Sequence, residues 1–279
     1  MRQWHLGQWH LTIAALLGAV ACGGTSPTGI APSSVAPRGF PGFDISIYPG
    51  DAVLSAWRHP ASPYRWVGYY LAAPCHRDVT WMGTLPRVQA LGWGTSVIYV
   101  GQQDWANIPA AIADAAPPLE SALVTCSADL LSASQGTLEA ADAIAKTQSE
   151  GFPTGTTIYL DVEYVSAVSL PLVEYYKAWI GEVLRDGRYR PGIYLAKSNA
   201  SPLHQAAMDA YAAAGVSGAP RFWIASSTGF AITSDPREVG LEYATVWQGL
   251  FNVSQRWGDA SLVIDANVAL TASPSAPTN

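Results

Sequence analysis

Residues 157–164 read TIYLDVEY, which is the clearest strand pattern in the chain. In a β-strand successive side chains point to opposite faces, so its three aliphatic residues share one face that suits packing against helices. The opposite face carries Tyr159 and then two carboxylates, Asp161 and Glu163, at the carboxyl end of the strand. The pattern predicts a strand that is apolar on its outer side and presents two acidic groups on its inner side.

Short β-type runs and helical patterns alternate along most of the chain. Besides 157–164, strands are predicted at 42–48, 65–71, 96–102, 192–197, 221–226, 243–248 and 262–268. Helices are predicted near 51–58, 81–91, 137–150, 170–186 and 201–214. Alternating strands and helices indicate βαβ units with a parallel sheet, and eight strands in one domain favour closure into a barrel.

The connections between the last strands differ from the earlier ones. The gaps 227–242 and 249–261 carry Gly, Ser and Asp and show no helical period. The predicted fold class is therefore α/β. We expect a TIM-like barrel over residues 40–271, with five βα units followed by three strands that lack long helices.

The composition excludes several classes of protein. The chain has 279 residues, of which 49% are hydrophobic and 13% charged, and its formal net charge is −6. So large an apolar fraction excludes disorder over most of the chain, and the acidic balance argues against a nucleic-acid partner, which needs a basic surface. No HExxH motif or Cys/His cluster with metal-ligand spacing occurs in the sequence, so no metal site is expected.

The first residues predict an export signal. A single charge, Arg2, precedes an apolar stretch at 11–20, which is too short for a bilayer span of about 20 residues. Small residues before Cys22 resemble a bacterial lipoprotein processing site. Residues 1–21 are therefore predicted to be a signal peptide and Cys22 to be lipidated. The alternative is the ordinary signal peptide of a secreted protein.

Two segments that flank the barrel are rich in Gly, Ser and Pro. Residues 22–39 are predicted to be a flexible tether, and residues 272–279 a disordered tail. The protein is therefore expected in the cell envelope, as a monomer that touches a membrane only through its lipid anchor.

Acidic residues on two other strands join the pair at 161 and 163. Asp44 alternates with apolar neighbours in the first strand, and Asp265 does so in the eighth. Because the first and last strands of a closed barrel are adjacent, these side chains are expected side by side. Each carboxylate alone is more typical of a turn cap, but four on consistent faces of three strands predict a catalytic site.

Like charges that lie close together raise the pKa of one member, which gives a protonated acid beside an ionised partner. Glycoside hydrolysis needs one protonated and one ionised carboxyl group.

The flat faces of aromatic side chains suit stacking on sugar rings, although each ring alone is more typical of a protein core. The expected substrate contacts are Tyr48, Tyr70, Tyr99, Trp105, Tyr164, Tyr194, Trp247, Gln248 and Asn267.

Two cysteines remain after the predicted processing site. Cys75 follows the second strand, and Cys126 lies in a long Pro-bearing connection at 103–136 that is expected to overhang the mouth of the barrel. In an exported protein such a pair forms a disulfide or stays as two buried thiols. A bridge would fix the long connection to the rim.

Several motifs together resemble a known group. Four stretches of this chain are similar to the landmark motifs of glycoside hydrolase family 25 muramidases. They are GFDIS at 42–46, YLDVEY at 159–164, VWQG at 246–249 and VIDAN at 263–267. Residues 40–270 as a whole resemble the bacterial secreted glycoside-hydrolase-like domain of unknown function 1906. That likeness includes IYVGQQ at 98–103 and the stretch 151–163.

The resemblance implies roles for the acidic residues. Glu163 matches the general acid of the muramidases, and Asp161 matches a residue that orients a substrate acetamido group or water. Asp44 and Asp265 match flanking acidic residues. The family uses no metal or organic cofactor, and its substrate is the glycan of peptidoglycan.

The expected function is therefore an exported glycoside hydrolase that cleaves cell-wall glycan. Two alternatives stay open: a non-catalytic glycan-binding envelope lipoprotein, and a hydrolase of another polysaccharide. A Gly rather than an aromatic residue follows Gln248, which leaves the polysaccharide undecided.

Overall fold

The computed structural model describes residues 38–104, 126–163 and 165–277. The predicted signal peptide, Cys22 and nearly all of the tether lie outside the described residues, as do Trp105 and Tyr164. Among the helices in the described ranges, none combines the length and the hydropathy that crossing a membrane requires.

Eight strands form a closed barrel in chain order. They are β1 Phe40–Asp44, β2 Trp66–Tyr70, β3 Gly94–Val100, β4 Thr157–Asp161, β5 Arg190–Ala196, β6 Arg221–Ala225, β7 Ala244–Trp257 and β8 Ala260–Ala269. Neighbouring strands from β1 to β7 are parallel, whereas β8 runs antiparallel to both β7 and β1. The predicted closed barrel of eight strands is confirmed.

Each of the first five strands is followed by an α-helix in the described ranges. The helices are α1 Asp51–Trp57, α2 Leu85–Ala90, α3 Ala133–Ser149, α4 Leu170–Asp186 and α5 Ala200–Ala213. Between β6 and β7 the chain forms a short 3₁₀ helix, Pro236–Val239, and β7 and β8 form a hairpin. This arrangement confirms the prediction of five βα units followed by three strands without long helices.

Large rings fill the interior of the barrel, and glycines make room for them. The indole of Trp223 meets Trp66 and Tyr159 edge to face, with ring centroids 5.5 Å apart in both pairs. A Cβ added at Gly42 would lie 2.0 Å from the indole of Trp66, and one at Gly192 would lie 2.7 Å from the Tyr159 ring. The interior is therefore a packed layer that closes the barrel below its carboxyl end.

The β7–β8 hairpin is longer than the sequence pattern predicts. The strands were predicted to end at 248 and to begin again at 262, with no helix between them, but β7 continues to Trp257 and pairs along its length with β8. The distal part of the hairpin lies against α1, where Trp57 Nε1 donates to the Ala260 carbonyl at 3.2 Å. Contacts with another element thus stabilise a strand whose exposed residues are mostly polar.

The predicted disordered tail is wrong for residues 272–277, which close the amino end of the barrel. The Ser275 carbonyl accepts a hydrogen bond from the Thr157 N–H at 2.9 Å, and Ser275 Oγ accepts one from the Val97 N–H at 2.7 Å. The Pro274 carbonyl accepts a bond from Arg221. The composition resembles a flexible tail, but the segment satisfies backbone donors that the barrel strands leave unpaired.

A disulfide joins Cys75 to Cys126, with their Cα atoms 5.0 Å apart and a sequence separation of 51. It connects the turn after β2 to the chain that leads into α3. Of the two states left open for these cysteines, the structure contains the bonded one.

Replacing Ser275 with Ala should lower the free energy of unfolding by about 1–2 kcal/mol, because the buried Val97 N–H loses its acceptor. Urea denaturation measures this change. Ser201→Ala on the exposed surface of α5 is the control and should cost nothing. An undiminished stability of the Ser275 variant would contradict the structural role of the tail.

Candidate active site

Four carboxyl groups meet at the end of the barrel where the parallel strands terminate. Asp44 ends β1, Asp161 ends β4, and Glu163 follows two residues later. Asp265 on β8 lies opposite Asp44 in the strand register. They line one pocket with an empty volume of about 310 Å³, together with Tyr70, Ile98, Tyr194, Trp223 and Gln248.

Asp44 is buried and held by two side chains. Its Oδ1 accepts a hydrogen bond from Asn267 Nδ2 at 3.0 Å, and its Oδ2 accepts one from the Tyr70 hydroxyl at 3.4 Å. Burial, followed by the charge of Asp265, raises the pKa of Asp44 well above its usual range. Asp44 therefore favours its protonated form more than an exposed aspartate does.

Asn267 lies beneath the pocket and does not line it, which corrects its predicted contact with substrate. The residue is fully buried. Its Oδ1 accepts a hydrogen bond from Trp223 Nε1 at 3.0 Å while its Nδ2 donates to Asp44. Asn267 thus connects the aromatic floor to the acidic group above it.

Asp161 is 8% exposed, and its Oδ1 has no hydrogen-bond partner among the described residues. Burial is the main cause that raises its pKa well above the usual range, and the charge of Glu163 adds to it. A buried polar atom without a partner is costly in a folded protein. This oxygen can therefore gain from a ligand that offers a donor.

Glu163 is half-buried at the mouth of the pocket. Burial, followed by the charge of Asp265, raises the pKa of Glu163 to about 7. Its backbone N–H donates to Gln103 Oε1 at 2.8 Å. In a substantial fraction of protein molecules at neutral pH, the Glu163 carboxyl therefore carries a proton that it can transfer.

Asp265 has a hydrogen bond to each carboxylate oxygen. Gln248 Nε2 donates to Oδ2, and the Asn252 N–H donates to Oδ1 at 2.7 Å. Asn252 lies in an irregular stretch of β7 and is the one non-glycine residue in the described ranges with a positive φ, 52°. Burial raises the pKa of Asp265, but these two bonds oppose the shift and favour the ionised form.

Two aromatic residues that were predicted to contact substrate lie on the outer side of the barrel instead. Tyr99 and Trp247 are fully buried on the outer side of the barrel. The Tyr99 hydroxyl donates to Asp142 Oδ2 at 2.8 Å, and Trp247 Nε1 donates to a backbone carbonyl after β6 at 2.7 Å. Their neighbours Ile98 and Gln248 point into the pocket, so the alternation of strand side chains excludes both rings from it.

Tyr48 is also absent from the pocket lining. Its hydroxyl donates to Asp51 and its ring packs against Trp81, at a centroid distance of 4.9 Å. The reason is that β1 ends at Asp44, before the predicted strand end. Of the remaining predicted contacts, Tyr70, Tyr194 and Gln248 line the pocket.

The sequence interpretation missed Trp223, Ile98 and Gln103. Trp223 forms the aromatic floor of the pocket, and strand alternation within β6 is a signal that could have placed it on the inner face. The alternation of side chains along β3 likewise directs Ile98 to the inner face of the barrel. No local signal identifies Gln103, whose contacts depend on how β3 and β4 pair.

Residues 55–269 match the family model described as the Rv2525c-like, glycoside hydrolase-like domain. The chain belongs to this family. The match spans more than half of the chain and confirms the resemblance found in the sequence motifs. No protein of curated function matches the sequence of this Rv2525c-like domain.

Solved structures share the fold at low sequence identity. An uncharacterised B. stearothermophilus protein has a TM-score of 0.54 at 17% identity, over 83% of this chain and 96% of that one. The Clostridium perfringens spore cortex lytic enzyme SleM has a TM-score of 0.52 at 14% identity, over 84% and 68%. The Streptococcus pneumoniae autolysin LytC has 0.52 at 13% identity, over 83% and 46%. The Rv2525c-like domain thus has a fold that occurs in bacterial lytic enzymes.

Glu163→Gln should raise the melting temperature at pH 8 and leave it close to wild type at pH 4. The native pKa of Glu163 is about 7, whereas a glutamate in an unfolded chain titrates near 4.3. Between those values the unfolded state loses the proton first, so its ionisation lowers the stability of the native state as the pH rises. Above pH 7 the native state holds a half-buried negative charge near Asp265, which the amide avoids.

Calorimetry at pH 4, 6 and 8 measures the difference between variant and wild type. Glu174→Gln, an exposed position on α4, is the control and should show no such trend. A difference for Glu163→Gln that does not change with pH would contradict the assigned pKa.

Proposed function

We propose that this domain is an exported glycoside hydrolase that cleaves glycan of the peptidoglycan type. The observation that carries the proposal is the convergence of four carboxyl groups in one open pocket. Burial raises the pKa of Glu163 to about 7 and also raises that of Asp265, but Asp265 accepts two hydrogen bonds that oppose its shift. Paired carboxyl groups whose pKa values are driven apart are what glycoside hydrolysis requires.

Glu163 serves as the general acid. It transfers its proton to the glycosidic oxygen as the bond from that oxygen to the anomeric carbon breaks. A water molecule then bonds through its oxygen to the anomeric carbon and gives a proton to the Glu163 carboxylate, which restores the acid.

Asp161 and Asp265 act on the sugar that develops positive charge. The unpartnered Oδ1 of Asp161 can hold an acetamido group or a water molecule beside the anomeric carbon. Asp265, fixed at both oxygens, stabilises the oxocarbenium-like centre electrostatically. The protonation state of Asp44 affects the pKa values of Asp161 and Asp265, because the three carboxyl groups lie in one pocket.

The walls of the pocket suit one pyranose ring. Tyr70 and Tyr194 line the pocket with aromatic rings above the buried indole of Trp223, and Gln248 offers an amide. Flat apolar faces stack on sugars, while polar edges bond to hydroxyls.

The predicted signal peptide and processing site support a location in the cell envelope. A signal peptide at 1–21 and a lipidated Cys22 would deliver the enzyme to the cell envelope, where its substrate lies. Mass spectrometry of the mature amino terminus distinguishes an acylated Cys22 from a free terminus.

Glu163→Gln should lower the hydrolysis of peptidoglycan or chitooligosaccharides by about 10²–10⁴-fold, the usual contribution of general acid catalysis. Reducing-end release measures turnover, and Glu174→Gln is the control that should retain it. Equal rates for the wild type and the Glu163→Gln variant would refute the role of Glu163.

The same assay, extended to other exported polysaccharides and paired with calorimetric binding, distinguishes the alternatives. Turnover of another polysaccharide, without turnover of cell-wall glycan, would identify that polysaccharide as the substrate. Affinity without turnover for any glycan would indicate a binding protein.

A further inference from the structure

The side chain of Gln103 is fully buried at the end of the IYVGQQ motif, beyond the last residue of β3. It is not part of the pocket lining, and the proposed reaction assigns it no role. Its position beside the acidic end of β4 nevertheless connects it with two of the four carboxyl-bearing residues.

Both the nitrogen and the oxygen of the Gln103 amide bond to the backbone at the carboxyl end of β4, and we call residues 157–163 the acid strand. Nε2 donates to the Asp161 carbonyl at 3.0 Å and to the Gly101 carbonyl at 3.0 Å. Oε1 accepts the N–H of Glu163 at 2.8 Å. A single side chain therefore holds the backbone on each side of Val162.

These bonds continue the ladder between β3 and β4 after the strands have ended. The last register pair is Val100 with Asp161, and one further backbone bond joins the Gly101 N–H to the Asp161 carbonyl. At Glu163 the acceptor is a side-chain amide rather than a backbone carbonyl. Without that amide the backbone N–H of Glu163 would lose this bond.

We propose that Gln103 is a positioning residue that fixes Glu163 at the pocket by holding the backbone of the acid strand. The inference rests on the proposed function of Glu163 as the general acid. Small displacements of a catalytic group have large effects, since an error of about 1 Å can lower a rate by 10²-fold.

The adjacent glutamine has a different task and supplies a matched control. Gln102 is also fully buried, but its Nε2 donates to Glu139 on α3 and its Oε1 accepts the Ser127 N–H at 2.8 Å. The two neighbouring residues have the same side chain and the same burial. Only Gln103 bonds to the backbone of Glu163.

The test compares Gln103→Met with Gln102→Met. Methionine keeps the length of the side chain and removes the amide, so both variants lose buried hydrogen bonds. In Gln103→Met, Glu163 should turn toward water, and its pKa should fall from about 7 by at least one unit toward its ordinary value. We expect kcat to fall by about 10–100-fold with little change in KM, and the basic limb of the kcat profile to move to lower pH.

Carbon-detected NMR titration of labelled glutamate carboxyls reads the pKa without turnover. Gln102→Met should keep the wild-type titration of Glu163 even if its stability falls. An unchanged titration and kcat in folded Gln103→Met would overturn the proposal.

Amide hydrogen exchange in the wild-type protein provides a test that does not depend on the folding of a variant. The N–H of Glu163 should exchange slowly, because it donates to the side chain of the buried Gln103, and fast exchange would overturn the proposal. If wild-type protein hydrolyses no glycan, the proposed function fails, whereas titration and exchange still decide the role of Gln103.

Discussion

Repulsion between four acidic groups in one buried pocket is the constraint on which the rest of the site depends. Asp44 and Asp265 are opposite each other in an antiparallel pair, where Cα atoms lie about 4.5–5.5 Å apart. Two unit charges at 5 Å and an effective dielectric constant of 20 repel by about 3 kcal/mol. Among the described residues, no basic side chain lines the pocket to offset this repulsion. The groups must therefore share protons, and their hydrogen bonds decide which of them stays charged.

The barrel makes this arrangement possible by fixing each acidic group from below or from the side. Asn267 joins Asp44 to the indole of Trp223, which packs against the other rings of the interior. Asp265 is held by the irregular stretch of β7. The disulfide and the closing segment at 272–277 contribute to the same rigidity from the two ends of the barrel. A rigid support matters because hydrogen bonds tune a pKa only while their geometry is kept.

Strand alternation predicted the most important part of the site from the sequence. It placed Asp44, Asp161 and Asp265 on inner faces, and the structure has them in one pocket. The interpretation was wrong for Tyr99 and Trp247, because those rings were chosen by residue type although their neighbours have the inward parity. The packed tail and the role of Gln103 could not be predicted, since both depend on hydrogen bonds between segments that are distant in sequence.

The most direct measurement is a crystal structure of the Glu163→Gln variant with a bound chitooligosaccharide or peptidoglycan fragment. We predict a sugar ring against Tyr70 and Tyr194. We also predict a glycosidic oxygen within about 3.2 Å of the amide that replaces the Glu163 carboxyl. A saccharide bound elsewhere on the barrel, with the acidic pocket free of it at saturating concentration, would contradict the account.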